Sequence, residues 1–234
     1  MAGESAYTKR LTAETKMDKI EELLEHFNLP PEVITSIRKN QKLIIFGLVL
    51  LLIFTVTFSL YTSYRKKIVQ EGASALAVAV QEPPEKRMEA LAAVVEKYGS
   101  TTSAQWARIE IANLNMKNGD YNSAAQEYLN ELKETDDSNP LYGLLLFGAG
   151  QALESEKKYD EAAAQYNLLK ELKGYEHIGY IGLARIEEVQ GNFAKANTTY
   201  NNFLLNVGDD PSAARARAEI ESRIARLKMK MSKK

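Results

Sequence analysis

The chain has 234 residues, 31 acids against 30 bases, two histidines and no cysteine. Its length allows one sizeable core, while the missing cysteine excludes disulfides, thiolate metal sites, cysteine nucleophiles and an acylated lipoprotein anchor. Charge is unevenly spread: residues 1–42 carry seven bases and seven acids, residues 62–210 fifteen and twenty-two, and residues 211–234 eight and two. An acidic body argues against nucleic acid as a ligand, because phosphate binding needs Lys and Arg.

From the N-terminus, Thr12 can cap a helix over 13–27, where Met17, Ile20, Leu23, Leu24 and Phe27 recur at helical spacing. Lys16 and Lys19 against Asp18, Glu21, Glu22 and Glu25 give that helix a polar face too acidic for an anionic membrane surface. Its apolar stripe is expected to pack on the next short helix or on a protein partner. Pro30 and Pro31 break it, and a second short helix is expected from Glu32 to Asn40. Residues 1–41 thus read as an N-terminal tail.

Leu43 to Tyr61 are 19 uncharged residues, fourteen of them Leu, Ile, Val or Phe. At about 1.5 Å per residue they cover roughly 30 Å, the hydrocarbon thickness of a bilayer, and the apolar side chains favour insertion by roughly 4 to 8 kcal/mol. A transmembrane helix over 42–63 is the expectation. A buried core helix would have a shorter run or a polar stripe. A cleaved signal would lack the 42 preceding residues. Arg38, Lys39 and Lys42 before the span balance Arg65, Lys66 and Lys67 after it, and only the distant Lys9, Arg10, Lys16 and Lys19 tilt the count toward an internal N-terminus.

Helical character is expected to continue from Arg65 to Gln81, where Pro83 and Pro84 intervene, and to resume from Glu85 to Tyr98 with Met88, Leu91, Val94 and Val95 on one face. Then one pattern recurs three times. Gly119-Asp-Tyr121 leads to Ala124 and Tyr128, Lys157-Lys-Tyr159 to Ala162 and Tyr166, and Gly191-Asn-Phe193 to Ala196 and Tyr200. Ala90 to Ala124 and Ala162 to Ala196 are each 34 residues apart, and Ala124 to Ala162 is 38. A small residue at that period lets two antiparallel helices approach closely, and the Gly supplies the left-handed turn that ends the first of them.

On these residues, and on Ala112, Gly150 and Ala184 at the eighth position of each first helix, the chain resembles the tetratricopeptide repeat family. It departs from that pattern at Lys157, which replaces the turn Gly, and in four extra residues around Asp136 to Asn139. The resemblance implies a solenoid of about four hairpins over 64–210, so with the single N-terminal transmembrane helix and a basic capping helix and tail over 211–234 the expected fold is all-α. In the cap, Ala213, Ala216, Ile220, Ile224 and Leu227 share one side, and its arginines read either as a solvated face or as a docking surface.

Family geometry implies that four positions of each first helix line a concave groove. These are Trp106, Ile109, Asn113 and Met116, then Leu144, Phe147, Gln151 and Glu154, then Ile178, Ile181, Arg185 and Glu188, some of which would instead pack between repeats. Such a groove suits an extended or helical segment of another protein. Ile109, Ile178 and Gly182 stand where a carboxylate clamp would need bases, so no clamp is expected. Neither is an enzyme, cofactor, metal or small-molecule substrate. Gly148, Gly150 and Gly174 to Gly182 fall on packing positions with no preceding strand, and His26 and His177 have no ligand at metal spacing.

The arrangement of tail, span and repeats, with Ser103-Ala104-Gln105-Trp106-Ala107-Arg108, is similar to that of family members that accompany the bacterial Sec translocon. That likeness implies an inner-membrane protein with a cytoplasmic N-terminus and a periplasmic repeat domain. Its expected partners are translocon subunits, client polypeptides and envelope chaperones. A cytoplasm-facing membrane adapter, or an assembly factor contacted through the span, are the alternatives.

Overall fold

The structure, a computed structural model, describes residues 30–208 and 210–232. The helix expected over 13–27 and His26 lie outside them. Among the described residues, helices α1 Pro31–Lys39, α2 Gln41–Gln81, α3 Pro84–Tyr98, α4 Thr102–Asn118, α5 Tyr121–Lys133, α6 Tyr142–Ser155, α7 Tyr159–Glu171, α8 Glu176–Val189, α9 Phe193–Val207 and α10 Ala214–Met231 account for the fold, with a 3-10 turn at Pro211–Ala213. The chain divides into two compact units at Arg65, within α2.

In the first unit, Pro31 opens α1 at a position whose missing N–H costs nothing. Asn40 closes it, its amide and its side-chain Nδ2 both donating to Ser36 O at 3.1 Å. The 41-residue α2 then begins, and its most apolar window is long enough to cross a membrane and has no buried residue. Leu43, Phe46, Leu52, Phe54 and Leu60 are each more than half exposed.

In the second unit the helices pair in sequence. The end of α2 packs with α3, α4 with α5, α6 with α7, and α8 with α9. Each turn inside the three later hairpins closes identically. Gly119 (φ 80°), Lys157 (φ 62°) and Gly191 (φ 80°) take the left-handed conformation. The following amides of Asp120, Lys158 and Asn192 then reach back to the carbonyls of Asn115, Leu153 and Glu187 at 2.8 to 2.9 Å. Lys157 therefore makes the glycine turn despite its Cβ, at a cost of about 1 kcal/mol.

The repeat's small residues do what their spacing requires. Ala124, Ala162 and Ala196 are fully buried, as are Ala112 and Ala184 on the facing helices. Gly150 and Gly182 both press on the Tyr166 ring, so closely that a Cβ on either would lie 2.5 to 2.7 Å from a ring carbon. The core is a row of three clusters, around Leu91 and Val94, around Leu145, Leu146 and Leu153, and around Phe203, Ile220 and Leu227. In α10, Ile220, Ile224 and Leu227 are buried against the last hairpin, which closes the stack.

Candidate protein-binding surface

The first helices of successive hairpins form an inner row, α4 touching α6 and α6 touching α8. Most of the twelve groove positions lie on it as partly accessible side chains. Trp106 is 38% exposed, and Met116, Leu144, Phe147 and Ile178 are half-buried, resting by one side on the central cluster. Gln151 is also half-buried. Ile109 and Ile181, at 2% and 7% exposure, are core residues. These two offer a partner almost nothing, whereas Phe147, at the same position of α6, remains half-buried.

The polar positions are engaged internally. Arg185 Nε and Nη2 donate to the two oxygens of Glu154 at 2.6 and 2.7 Å, a bidentate pair joining α8 to α6. Tyr166, from α7, donates its hydroxyl to Glu154 Oε2 and accepts from Arg185, both at 2.9 Å. The hydrogen bonds to Glu154 hold Arg185 above the ordinary arginine range, so its charge is permanent. Burial pushes the Tyr166 hydroxyl up as well.

One period later the same set recurs. Tyr200 donates to Glu188 Oε1 at 3.0 Å, and Glu188 Oε2 accepts from Lys230 Nζ at 2.9 Å. Lys230 comes from α10 and stands to Glu188 as Arg185 stands to Glu154. The earlier hairpin uses a shorter version, in which Tyr128 donates to Asn113 Oδ1 at 2.6 Å. Burial raises both Tyr128 and Tyr200 to about 12.

Flanking Trp106, Gln105 donates to Thr135 at 2.9 Å, and Arg108 donates to Glu131 at 3.2 Å and to Gly99 O at 3.3 Å. Those two side chains bind the second hairpin together and leave Trp106 facing outward between them. Burial pushes Glu131 up against the opposing pull of Arg108.

Asn113, Glu154, Arg185 and Glu188 are expected in the groove from the sequence; Tyr128, Tyr166, Tyr200 and Lys230, the groups that occupy them, are not. A signal was present: Glu154 and Glu188 are each followed twelve residues later by a tyrosine. Among the described residues, no group of three or more His, Cys, Asp or Glu is placed to hold a metal.

The family profile of the tetratricopeptide repeat-like domain matches residues 37–167, more than half of the chain. The chain belongs to that family. No curated protein matches at a significant level. The matched span begins before the apolar helix and ends within α7; the fourth hairpin and the cap follow it.

Proposed function

We propose that this protein is a membrane-anchored, noncatalytic scaffold whose inner row binds uncharged, apolar segments of other proteins beside the bilayer. One observation carries the reading: the charged groove positions are all paired, Glu154 with Arg185 and Glu188 with Lys230. What those positions offer a partner is therefore Trp106, Met116, Leu144, Phe147, Gln151 and Ile178. Aromatic and Met side chains provide large, adaptable contact area, and groove positions whose charges are already paired select against charged tails.

The apolar part of α2 is the anchor in this reading. Its length matches a bilayer, and its side chains are exposed where a soluble protein would bury them. The family match reaches across this helix into the repeats, which supports treating both as one design. Anchoring raises the local concentration of the row for partners in the same membrane. The arrangement fits an ancillary factor of protein secretion or envelope biogenesis at the Sec translocon of a bacterial inner membrane, with the N-terminus cytoplasmic and the repeats periplasmic.

The lack of native cysteine makes topology directly testable. Ser5→Cys and Ser155→Cys variants would be treated in intact cells with a membrane-impermeant maleimide after the outer membrane is opened. Labelling at 155 and not at 5 is expected; labelling at 5 alone would make this a cytoplasm-facing adapter.

A further inference from the structure

We infer that α1 is an interfacial helix that lies in the headgroup layer at the N-terminal end of the span and binds anionic phospholipid headgroups through Lys39 and Lys42. The inference rests on α2 being the anchor.

The helix after Pro31 does not run straight into the span: α1 ends at Lys39, and Asn40 is a junction whose carbonyl accepts from Leu43 and Ile44 while its own donors point back to Ser36. Asn40 thus closes one helix and starts another. Only Gln41 and Lys42 separate it from the uncharged run, so if that run fills the hydrocarbon, α1 must sit at the boundary.

Its composition suits that place. Val33, Ile37, Leu43 and Ile44 are the apolar lining of a shallow cleft at the elbow, which Glu32, Ser36 and Asn40 also line, while Thr35 and Lys39 are exposed outside it. The apolar face of α1 and the start of the apolar helix therefore meet, and a bilayer covers both together. Lys39 and Lys42 are exposed with no ion-pair partner among the described residues, and Arg38 adjoins them in sequence. Glu32, the one acid of α1, lies in its first turn, away from this cluster. Two exposed bases at the elbow, Lys39 and Lys42, complement anionic headgroups; the basic flank at Arg65 to Lys67 runs on in an unbroken helix.

The test uses the full chain, in single-cysteine variants Ile37→Cys and Thr35→Cys carrying an environment-sensitive fluorophore; Thr35 is exposed and lies outside the cleft. Each is reconstituted in phosphatidylcholine nanodiscs with and without phosphatidylglycerol. A blue-shifted Ile37 label, shielded from an aqueous quencher and more so with phosphatidylglycerol, is expected beside a water-exposed Thr35 label. Lys39→Gln and Lys42→Gln should each lower the docking equilibrium about fivefold in anionic discs. Equal quenching at both positions, or shielding indifferent to phosphatidylglycerol and to the lysine substitutions, would overturn the inference. A chain that does not enter nanodiscs at all would remove the anchor itself, and with it this proposal.

Discussion

Tyr166 shows how one side chain can serve packing and polarity together. Its ring fits only because positions 150 and 182 are glycine, and its hydroxyl completes the Glu154–Arg185 pair. Arg185→Ala leaves a half-buried carboxylate without its cation and should cost about 2 to 3 kcal/mol in chemical denaturation. A double-mutant cycle with Glu154→Gln should return a coupling above about 1 kcal/mol; additive effects would mean that the pair contributes nothing of its own. The raised tyrosines predict an alkaline limit. Tyr128 and Tyr200 titrate near 12 when folded and near 10 when unfolded, so the unfolded chain releases its protons first. Stability must then fall as pH rises from about 10 to 12, by about 2 to 3 kcal/mol per tyrosine. Tyrosinate absorbance rising fully while the far-ultraviolet helical signal is retained would contradict this.

At the scale of elements, the hairpins were legible because close packing leaves a mark that recurs. Ala124, Ala162 and Ala196 had to be small, so their spacing revealed the register, and all three are buried. Lys157 stands where the other two turns have Gly, and the register of the alanines placed its turn without one; it takes the left-handed conformation despite its side chain. The burial of Ile109 and Ile181 was not legible in this way: an apolar residue on a first helix can face either the groove or the next hairpin, and period alone does not distinguish them. Nor does a sequence state which hydroxyl reaches which carboxylate. The cap illustrates both sides, its apolar stripe plain in the sequence and the Lys230–Glu188 contact not. Repeats of this kind are stabilised by their neighbours. Leu227→Ala, which empties a fully buried site, should therefore cost about 2 to 5 kcal/mol. Hydrogen exchange should show protection lost first in α8 and α9 while α3 and α4 keep theirs; uniform loss along the stack would refute the neighbour-by-neighbour account. Lys230→Ala, at an exposed ammonium, should cost less than about 1 kcal/mol.

For the molecule as a whole, the division of labour follows from where charge is spent. The inner row uses the ionic groups of its groove positions to hold helices α6, α7, α8, α9 and α10 together, and leaves Trp106 and Phe147 accessible. Binding there should consequently be insensitive to salt, in contrast to a site built on free lysines and arginines. The most direct test places a photo-crosslinking residue at Trp106, at Phe147 or at Leu168, the last a half-exposed side chain of the outer helix α7. The full-length protein would be expressed in its native membrane. Crosslinks to other polypeptides from 106 and 147, retained at high salt and absent from 168, are the predicted result. Crosslinks from 168 alone, or none from the inner row under conditions where the protein is folded and membrane-bound, would contradict the account.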